Sequence, residues 1–290
     1  MTRFATIVFA GRPNAGKSTL LNAILGTNLS IVSARPQTTR HPVVGVDTDG
    51  EVQLELVDPA GLVKPAYPLQ EAMVRLAADA IAHAHGVVYL HPPDGGDVPS
   101  LDTLLADPPA ALPPVLTVLT KSDLVGERDR GRWAGVDLRV SATTKDGIPE
   151  LLAWCRERAR PGPWRHDPDA ISGLPVRFFA AEYIREAAFL HLDQELPYSV
   201  AVEIDEFREE NDPVYIRAAL FVERQSQKGI VIGQQGRTIR EIGAAARRST
   251  EALLGQRVYL DLRVKVLPKW RKSLHHLGRM GFPAPEQEKR

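Results

Sequence analysis

The sequence predicts a mainly parallel α/β domain followed by a smaller α+β domain, and three observations point there. Residues 1–160 alternate apolar strand-like runs with helical ones, the pattern of a parallel sheet covered by helices on both faces. From Ala159 to Pro175 the chain is rich in Pro and Gly and loses its periodicity, which marks a linker over 161–175. Beyond it the order becomes helix, strand, strand, helix, helix, strand over 176–270, with a tail at 271–290. A chain of 290 residues is long enough for two cores of this size.

Each element has a local reason. The runs 4–10, 86–90 and 115–119 are apolar and too short for helices, so they read as buried strands, with 136–140 as a further one. Segments 43–47 and 52–57 are joined by Thr48, Asp49 and Gly50, and an Asp-Gly turn makes them an antiparallel hairpin. Helical spacing covers 18–25, 69–83, 101–105 and 149–158, while the prolines of 91–114 make that stretch a loop-rich excursion. In the second domain, helices are expected over 176–194, around 228–232 and over 237–254, and strands over 198–207, 214–222 and 257–266.

The segment Gly11, Arg12, Pro13, Asn14, Ala15, Gly16, Lys17, Ser18 spells G-x-x-x-x-G-K-[ST] between a strand and a helix, with Thr19 following. In such a phosphate loop, backbone N–H groups face the phosphates, Lys17 meets the β/γ oxygens and Ser18 meets Mg²⁺. The helix beginning there aims its positive dipole end at the same phosphates. An ordinary glycine-rich turn is the bland alternative. D-x-x-G occurs at 47–50, 58–61 and 123–126. Only Asp58, Pro59, Ala60 and Gly61 end a strand and open a loop before a helix, where the carboxylate reaches Mg²⁺ through water and the Gly61 N–H meets the γ-phosphate. Thr120, Lys121, Ser122 and Asp123 close the strand 115–119, and Asp123 is placed to accept the N1–H and N2 amino hydrogens of guanine, donors that adenine lacks. An acceptor left unpaired by adenine costs about 1–3 kcal/mol, so GTP is favoured over ATP. Ser141, Ala142 and Thr143 end the next strand and bring a backbone N–H toward guanine O6.

With these boxes in order, the chain resembles the Era-like subfamily of translation-factor-related P-loop GTPases, over nearly its whole length. The resemblance implies a Ras-like sheet, GTP/GDP as ligands and Mg²⁺ as cofactor. It places switch I on 37–41, with Thr39 as the threonine that holds Mg²⁺ and senses the γ-phosphate and Thr38 as second choice. Ser18, Thr39 and Asp58 are then the metal set, and Lys17, Thr39 and Gly61 the catalytic one. Two boxes depart from the family spelling. Pro59-Ala60 stands for Thr-Pro, and Thr120 for an asparagine whose amide braces the pocket. Leu62 occupies the position where many Ras-like GTPases have glutamine, which implies slow intrinsic hydrolysis suited to a timed switch. Asn14 resembles the asparagine that helps hold K⁺ in potassium-stimulated relatives; bracing the loop is its other reading.

The second domain extends the likeness. Gly229, Ile232, Gly233, Gln234, Gln235, Gly236, Arg237 and Arg240 carry a GxxG signature similar to that of type II KH domains, in which the backbone closes on phosphates and flanking apolar residues groove single-stranded bases. The resemblance implies small-subunit (16S-type) ribosomal RNA near its 3′ end as partner, and a role in 30S assembly. It further implies a cytoplasmic monomer, with peripheral association at the inner membrane face.

Composition agrees with this reading. Lys+Arg and Asp+Glu are both 36, yet 219–272 holds twelve basic against four acidic residues, which favours a polyanion, solvated helix faces being the alternative. The one cysteine, Cys155, excludes an intramolecular disulfide and reads as a packed thiol. No apolar run is long enough for a membrane span. His83, His85, His275 and His276 lack metal-ligand spacing, and Trp133, Trp154 and Trp164 read as packing residues. Trp270, among Lys269, Arg271 and Lys272, is expected to touch RNA or a lipid headgroup. Two rival readings remain at this level: a constitutive RNA-binding module with a structural nucleotide domain, and an ATPase or nucleotide kinase.

Overall fold

The computed structural model describes residues 1–33, 35–94, 98–105, 108–109, 111–126, 133 and 135–283. Two compact units divide the chain, Met1–Gly173 and Leu174–Arg290.

The first unit is a seven-stranded sheet in the order β2-β3-β1-β4-β5-β6, with β7 also on β1. Its strands are β1 (Arg3–Ala10), β2 (Val43–Asp49), β3 (Val52–Asp58), β4 (Gly86–His91), β5 (Val115–Leu119), β6 (Leu138–Arg139) and β7 (Arg160–Pro161). All neighbours run parallel except the β2–β3 hairpin and the short β7. Central β1 is buried on both faces, which is why it reads as a continuous apolar run. Helices α1 (Lys17–Leu25), α2 (Pro68–Ala82) and α3 (Ile148–Glu157) accompany it. Pro68 and Pro149 sit in first helical turns, where a missing N–H costs nothing. Val8, Val57, Leu62, Ile81 and Val87 belong to one core cluster of this unit. Cys155 is fully buried, and burial pushes its thiol up to about 12, so it is an inert packing group.

Several boundaries differ from the sequence reading. The stretch 101–105 forms only a 3₁₀ turn, Leu101–Leu104, because Pro108 and Pro109 follow too soon for an α-helix. The last main strand is two residues long rather than spanning 136–140: the Asp137 side chain takes the Thr117 N–H at 2.8 Å, a bond a ladder carbonyl would otherwise receive. The expected linker 161–175 is largely part of the first unit. Buried Gln53 accepts the N–H groups of Arg165 and His166, each at 3.0 Å, and donates to the His166 carbonyl, while Val46 N–H bonds Ile171 O at 3.0 Å. Polar partners thus do what periodicity does not advertise.

The second unit has α4 (Val176–His191), α5 (Leu196–Ser199), β8 (Ala201–Arg208), β9 (Val214–Val222), α6 (Gln225–Ile232), α7 (Arg237–Leu254), β10 (Val258–Val266) and α8 (Leu274–Arg279). β8 and β9 are antiparallel, and β10 joins β9 in parallel, giving the order β10-β9-β8. Ile184, Ala188, Leu220, Val231, Ile242 and Ala246 share its core. The strand expected from 198 begins at Ala201, because Pro197 starts a helical turn closed by Ser199 Oγ donating to Leu196 O at 2.8 Å. The helix expected to reach 194 ends at His191. Residues after 270 are not a bare tail: α8 forms, Leu277 and Phe282 are buried, and Arg279 pairs with Glu203 at 3.0 Å. Residues 284–290 of the expected tail lie outside the described residues. Among the described residues no helix is long and apolar enough to cross a membrane.

Candidate functional site

The first site gathers loops at the carboxyl ends of β1, β3, β5 and β6, where open α/β sheets bind ligands. Gly11 leaves β1 at φ 150°, and a Cβ there would stand 2.6 Å from Leu90 O, so the loop can turn this closely against β4 only with glycine. Gly16 precedes α1 in the left-handed region, which directs the first N–H groups of the helix into the cavity. Lys17 is only 6% exposed, and its Nζ donates to Arg12 O at 3.2 Å.

Opposite Lys17 stands Asp58, fully buried at the end of β3. Ser18 Oγ donates to Asp58 Oδ2 at 2.6 Å, Thr39 Oγ1 donates to the same oxygen at 3.4 Å, and the two hydroxyls are 3.2 Å apart. Asp58 Oδ1 is buried without a hydrogen-bond partner. Burial pushes the Asp58 carboxyl upward, opposed by the Lys17 charge and by the Ser18, Ser30 and Thr39 hydroxyls; burial lowers Lys17, and Asp58 opposes that in turn. Two hydroxyls and a desolvated carboxylate with spare acceptor capacity are the hard oxygen donors that Mg²⁺ takes, so these residues fit that ion. Thr38 lines the same cavity, but its hydroxyl lies 3.5 Å from Ile31 O, whereas the Thr39 hydroxyl is the one that bonds Asp58. Gln70 of α2 donates to Gln37 at 3.0 Å and accepts from Ala66 N–H at 2.8 Å, tying 37–41 to the loop after Asp58.

Two adjoining cavities follow. The phosphate side encloses about 280 Å³ among Asn14, Lys17, Ser18, Thr39 and Gly61. The base side encloses about 300 Å³ among Thr120, Asp123, Val140, Ala142 and Thr143. Gly16, Thr19 and Lys121 line both. Ser141 Oγ donates to Asp123 Oδ1 at 2.6 Å and accepts the Thr144 N–H at 3.1 Å, fixing the carboxylate. Ser122 N–H bonds Val140 O at 3.3 Å and secures the turn. Thr120 retains a brace despite lacking an amide: its buried hydroxyl donates to Ala15 O at 2.8 Å and lies 3.3 Å from His91 O, linking the ends of β5 and β4 to the loop after β1.

Of the expected nucleotide residues, Gly11, Arg12, Ala15, Asp58, Pro59, Ala60, Leu62, Ser122 and Ser141 do not line these cavities; Asp58 stands behind Ser18 and Thr39, and Ser141 behind Asp123. Leu62 is buried, its N–H bonded to Gly11 O at 2.9 Å, so no polar side chain at this position meets the phosphate cavity. Sequence reasoning missed Ile31, Val32, Ser33 and Leu124 as lining residues. The first three carry no motif; Leu124 directly follows Asp123, and that adjacency is its one signal in the sequence.

The second site is built around Gly233, where α6 ends at φ 72°, ψ 175°. A Cβ on Gly233 would collide with the Thr238 side chain. Gln234 and Gln235 point to solvent, and Arg240 donates to Gln235 O at 2.7 Å and Gly236 O at 3.0 Å. With those carbonyls occupied, the turn is held by a cation at its base. Beside it, α7 and β10 enclose a groove of about 350 Å³, with Ile239, Gly243, Leu260 and Leu262 as apolar lining and Arg240 and Arg247 as the basic residues. Gly229 and Ile232, expected at this interface, lie on α6 and do not line the groove; Gly243, Arg247 and Tyr259 do, and the sequence reading omitted them. Ion pairs of Arg257 with Asp212 and Lys265 with Asp205 bring in carboxylates from outside 219–272 and reduce the positive charge that counting within it suggests, while Arg237–Glu241 and Arg263–Asp261 pair charges already counted.

Trp270 is not a surface contact. It is fully buried with its indole N–H on Ser199 O at 2.8 Å, so it reaches neither RNA nor lipid, and the basic residues around it are distributed about a packing anchor. Among the described residues no cluster of His, Cys, Asp and Glu could hold a metal.

Comparison with known proteins agrees with this geometry. A family model described as 50S ribosome-binding GTPase matches 6–121, and a KH domain model matches 195–271. The chain is 38% identical to GTPase Era of Ruminiclostridium cellulolyticum over 94% of its own length and 95% of that protein, and 38% identical to GTPase Era of Mycolicibacterium smegmatis over 97% and 100%. A crystal structure of Era with MgGDPNP and nucleotides 1506–1542 of 16S ribosomal RNA superposes with a TM-score of 0.86 at 30% identity, covering 97% of this chain and 99% of that one. An Aquifex aeolicus Era variant bound to GDP·AlF4⁻ gives the same four values.

Proposed function

The chain belongs to the Era family of GTPases, and on that premise we propose that it is a GTP-hydrolysing switch whose second unit binds single-stranded RNA near the 3′ end of 16S ribosomal RNA during 30S maturation. The observation that carries the nucleotide half is the continuity of the two cavities through Gly16, Thr19 and Lys121, with buried Lys17 and the Asp58-backed hydroxyls of Ser18 and Thr39 at one end and Ser141-fixed Asp123 at the other. Their combined space takes an anion and a flat donor-bearing base side by side.

Phosphoryl transfer depends on positioning and charge neutralisation. Lys17 and the N–H groups at the start of α1 supply positive charge to the β- and γ-phosphates. Ser18, Thr39 and, through water, Asp58 would hold Mg²⁺, which supplies further charge neutralisation when bound. Gly61 places its N–H near the γ-phosphate side of the cavity, and the loop through Gln70 lets that position and 37–41 respond together. Leu62 contributes no polar group to orient water, which supports a slow intrinsic rate. Asn14, at φ 62° on the cavity wall, is the residue we assign to K⁺, and faster hydrolysis in K⁺ than in Na⁺ is the expected result.

The test is the affinity of the full chain for a 3′-terminal 16S RNA strand, loaded with a non-hydrolysable GTP analogue or with GDP. Tighter binding with the analogue is expected. Equal binding would favour the constitutive RNA module, and no binding in either state would overturn the assignment of the second unit.

A further inference from the structure

Gly243 stands in the middle of α7, an unbroken helix from Arg237 to Leu254. Glycine is the poorest helix former after proline, so its presence there works against the element that carries it. Neither backbone geometry nor packing demands it. Gly233, Gly236 and Gly255, at the two ends of the same helix, have positive φ, and Gly243 does not. A Cβ at Gly243 would meet Leu262 Cδ2 at 4.0 Å, an ordinary van der Waals distance that alanine fills without a clash among the described residues. On Gly233, by contrast, a Cβ would collide with Thr238.

The position faces ligand space instead. Ile239, Gly243 and Arg247 follow one another at four-residue spacing and line the groove against β10, while Ile242, Ala246 and Thr250 form the buried side of α7. Across the groove, Leu260 and Leu262 are two apart on β10 and so share the strand face that meets α7. Ile239, Leu260 and Leu262 are only partly buried, which leaves apolar surface uncovered on both walls. Between these walls Gly243 contributes bare backbone, about 10 Å along the helix from Gly236. Arg240, nearly one turn closer to the glycine turn, is committed to the Gln235 and Gly236 carbonyls. Arg247, one turn beyond, is held loosely, its Nε 4.0 Å from Glu251.

We propose that Gly243 is a base-binding residue: its missing side chain opens a slot that takes one nucleobase of the bound single strand, which rests against the α7 backbone between Ile239, Leu260 and Leu262. The proposal rests on the second unit binding single-stranded RNA. Backbone can approach a ligand this closely only where no Cβ stands between them. A GxxG clamp holds the strand at 233–236, and the groove that begins there leads along α7 past Gly243 to Arg247, a cation placed for a phosphate of the same strand. The slot walls carry no polar side chain, so the slot accepts a base by its flat apolar face rather than by its hydrogen-bonding edge. A chance glycine on a tolerant helix face is the competing reading, and it makes no demand on RNA.

The experiment uses the full chain loaded with a GTP analogue and a short single strand from the 3′ end of 16S RNA, with an abasic nucleotide walked through it. Gly243→Ala and Gly243→Leu both improve helix propensity, and the second also fills the slot. We expect Gly243→Ala to raise the unfolding midpoint of the second unit by a few degrees while weakening RNA binding, and Gly243→Leu to weaken binding by about 5- to 150-fold. Higher stability with lower affinity separates a role in ligand space from a role in folding. One abasic position should reproduce the loss in the parent chain and add nothing in Gly243→Leu. GTP hydrolysis without RNA should be the same in all three proteins. Parental affinity in Gly243→Leu, a lowered unfolding midpoint in Gly243→Ala, or a loss that adds to every abasic position alike would overturn the slot while leaving the KH reading intact. Failure of the parent chain to bind the strand at all would overturn both.

Discussion

The loop at Gly11–Ser18 and the turn at Gly233–Gly236 both use glycine to bring backbone toward phosphate, yet they are built on opposite physical terms. Around the first, Lys17 and Asp58 are taken out of water, and each is shifted by its own burial. Around the second, Gln234, Gln235, Arg237 and Arg240 stay in solvent and the groove is shallow and mostly apolar. A desolvated site concentrates its selectivity in a few groups, because each unmet charge or hydrogen bond costs more there. An exposed groove spreads affinity over backbone contacts and stacking, and salt weakens it. Single substitutions should therefore act sharply in the first site and gradually in the second.

The largest effect is expected at Lys17. Lys17→Ala should lower GTP turnover by about 10²- to 10³-fold, read by single-turnover phosphate release, because it removes the cation directed at the developing charge. A loss below tenfold would show that the buried lysine is not directed at phosphate. Asp123→Asn comes next, with GTP affinity falling by about 1–3 kcal/mol and xanthosine triphosphate gaining relative to it. Nucleotide titration checks this, and an unchanged preference would remove Asp123 from base reading.

In the exposed site, Gly233→Ala should distort the turn, since φ 72° is unfavourable for alanine and the added methyl meets Thr238. Thermal unfolding of the second unit should show about 1–3 kcal/mol of destabilisation and RNA titration a clear loss, while GTP hydrolysis without RNA stays unchanged. Hydrolysis falling with it would mean that the two sites are not energetically separate. The smallest effect is expected for Thr120→Val, which keeps shape but removes the hydroxyl held by Ala15 O. GDP affinity should fall by about 0.5–1.5 kcal/mol, and Thr120→Asn should recover it.

Much of the first site was legible because motifs of fixed spacing mark strand ends: Gly11 to Ser18, Asp58 to Gly61 and Thr120 to Asp123 each name the functional atom and its local conformation together. The groove of the second unit was less legible. Gly243, Arg247 and Tyr259 belong to α7 and β10, and nothing in either segment says that these faces oppose each other. Trp270 was misread for the same reason, since basic neighbours imply a surface while its ring fills the interior.

By itself the sequence determined the parallel sheet with its antiparallel hairpin, the order of the main strands and helices in both units and the nucleotide boxes, because periodicity and turn chemistry act over a few residues, whereas the short elements β7, α5 and α8 escaped it. Only the tertiary structure decided that Thr39 rather than Thr38 joins Ser18 at Asp58, that Thr120 still braces the loop, and that 161–173 is a strap gripped by Gln53. Each of these is a contact between residues distant in the chain, set by where the sheets place their edges and loops, and no local pattern encodes that placement.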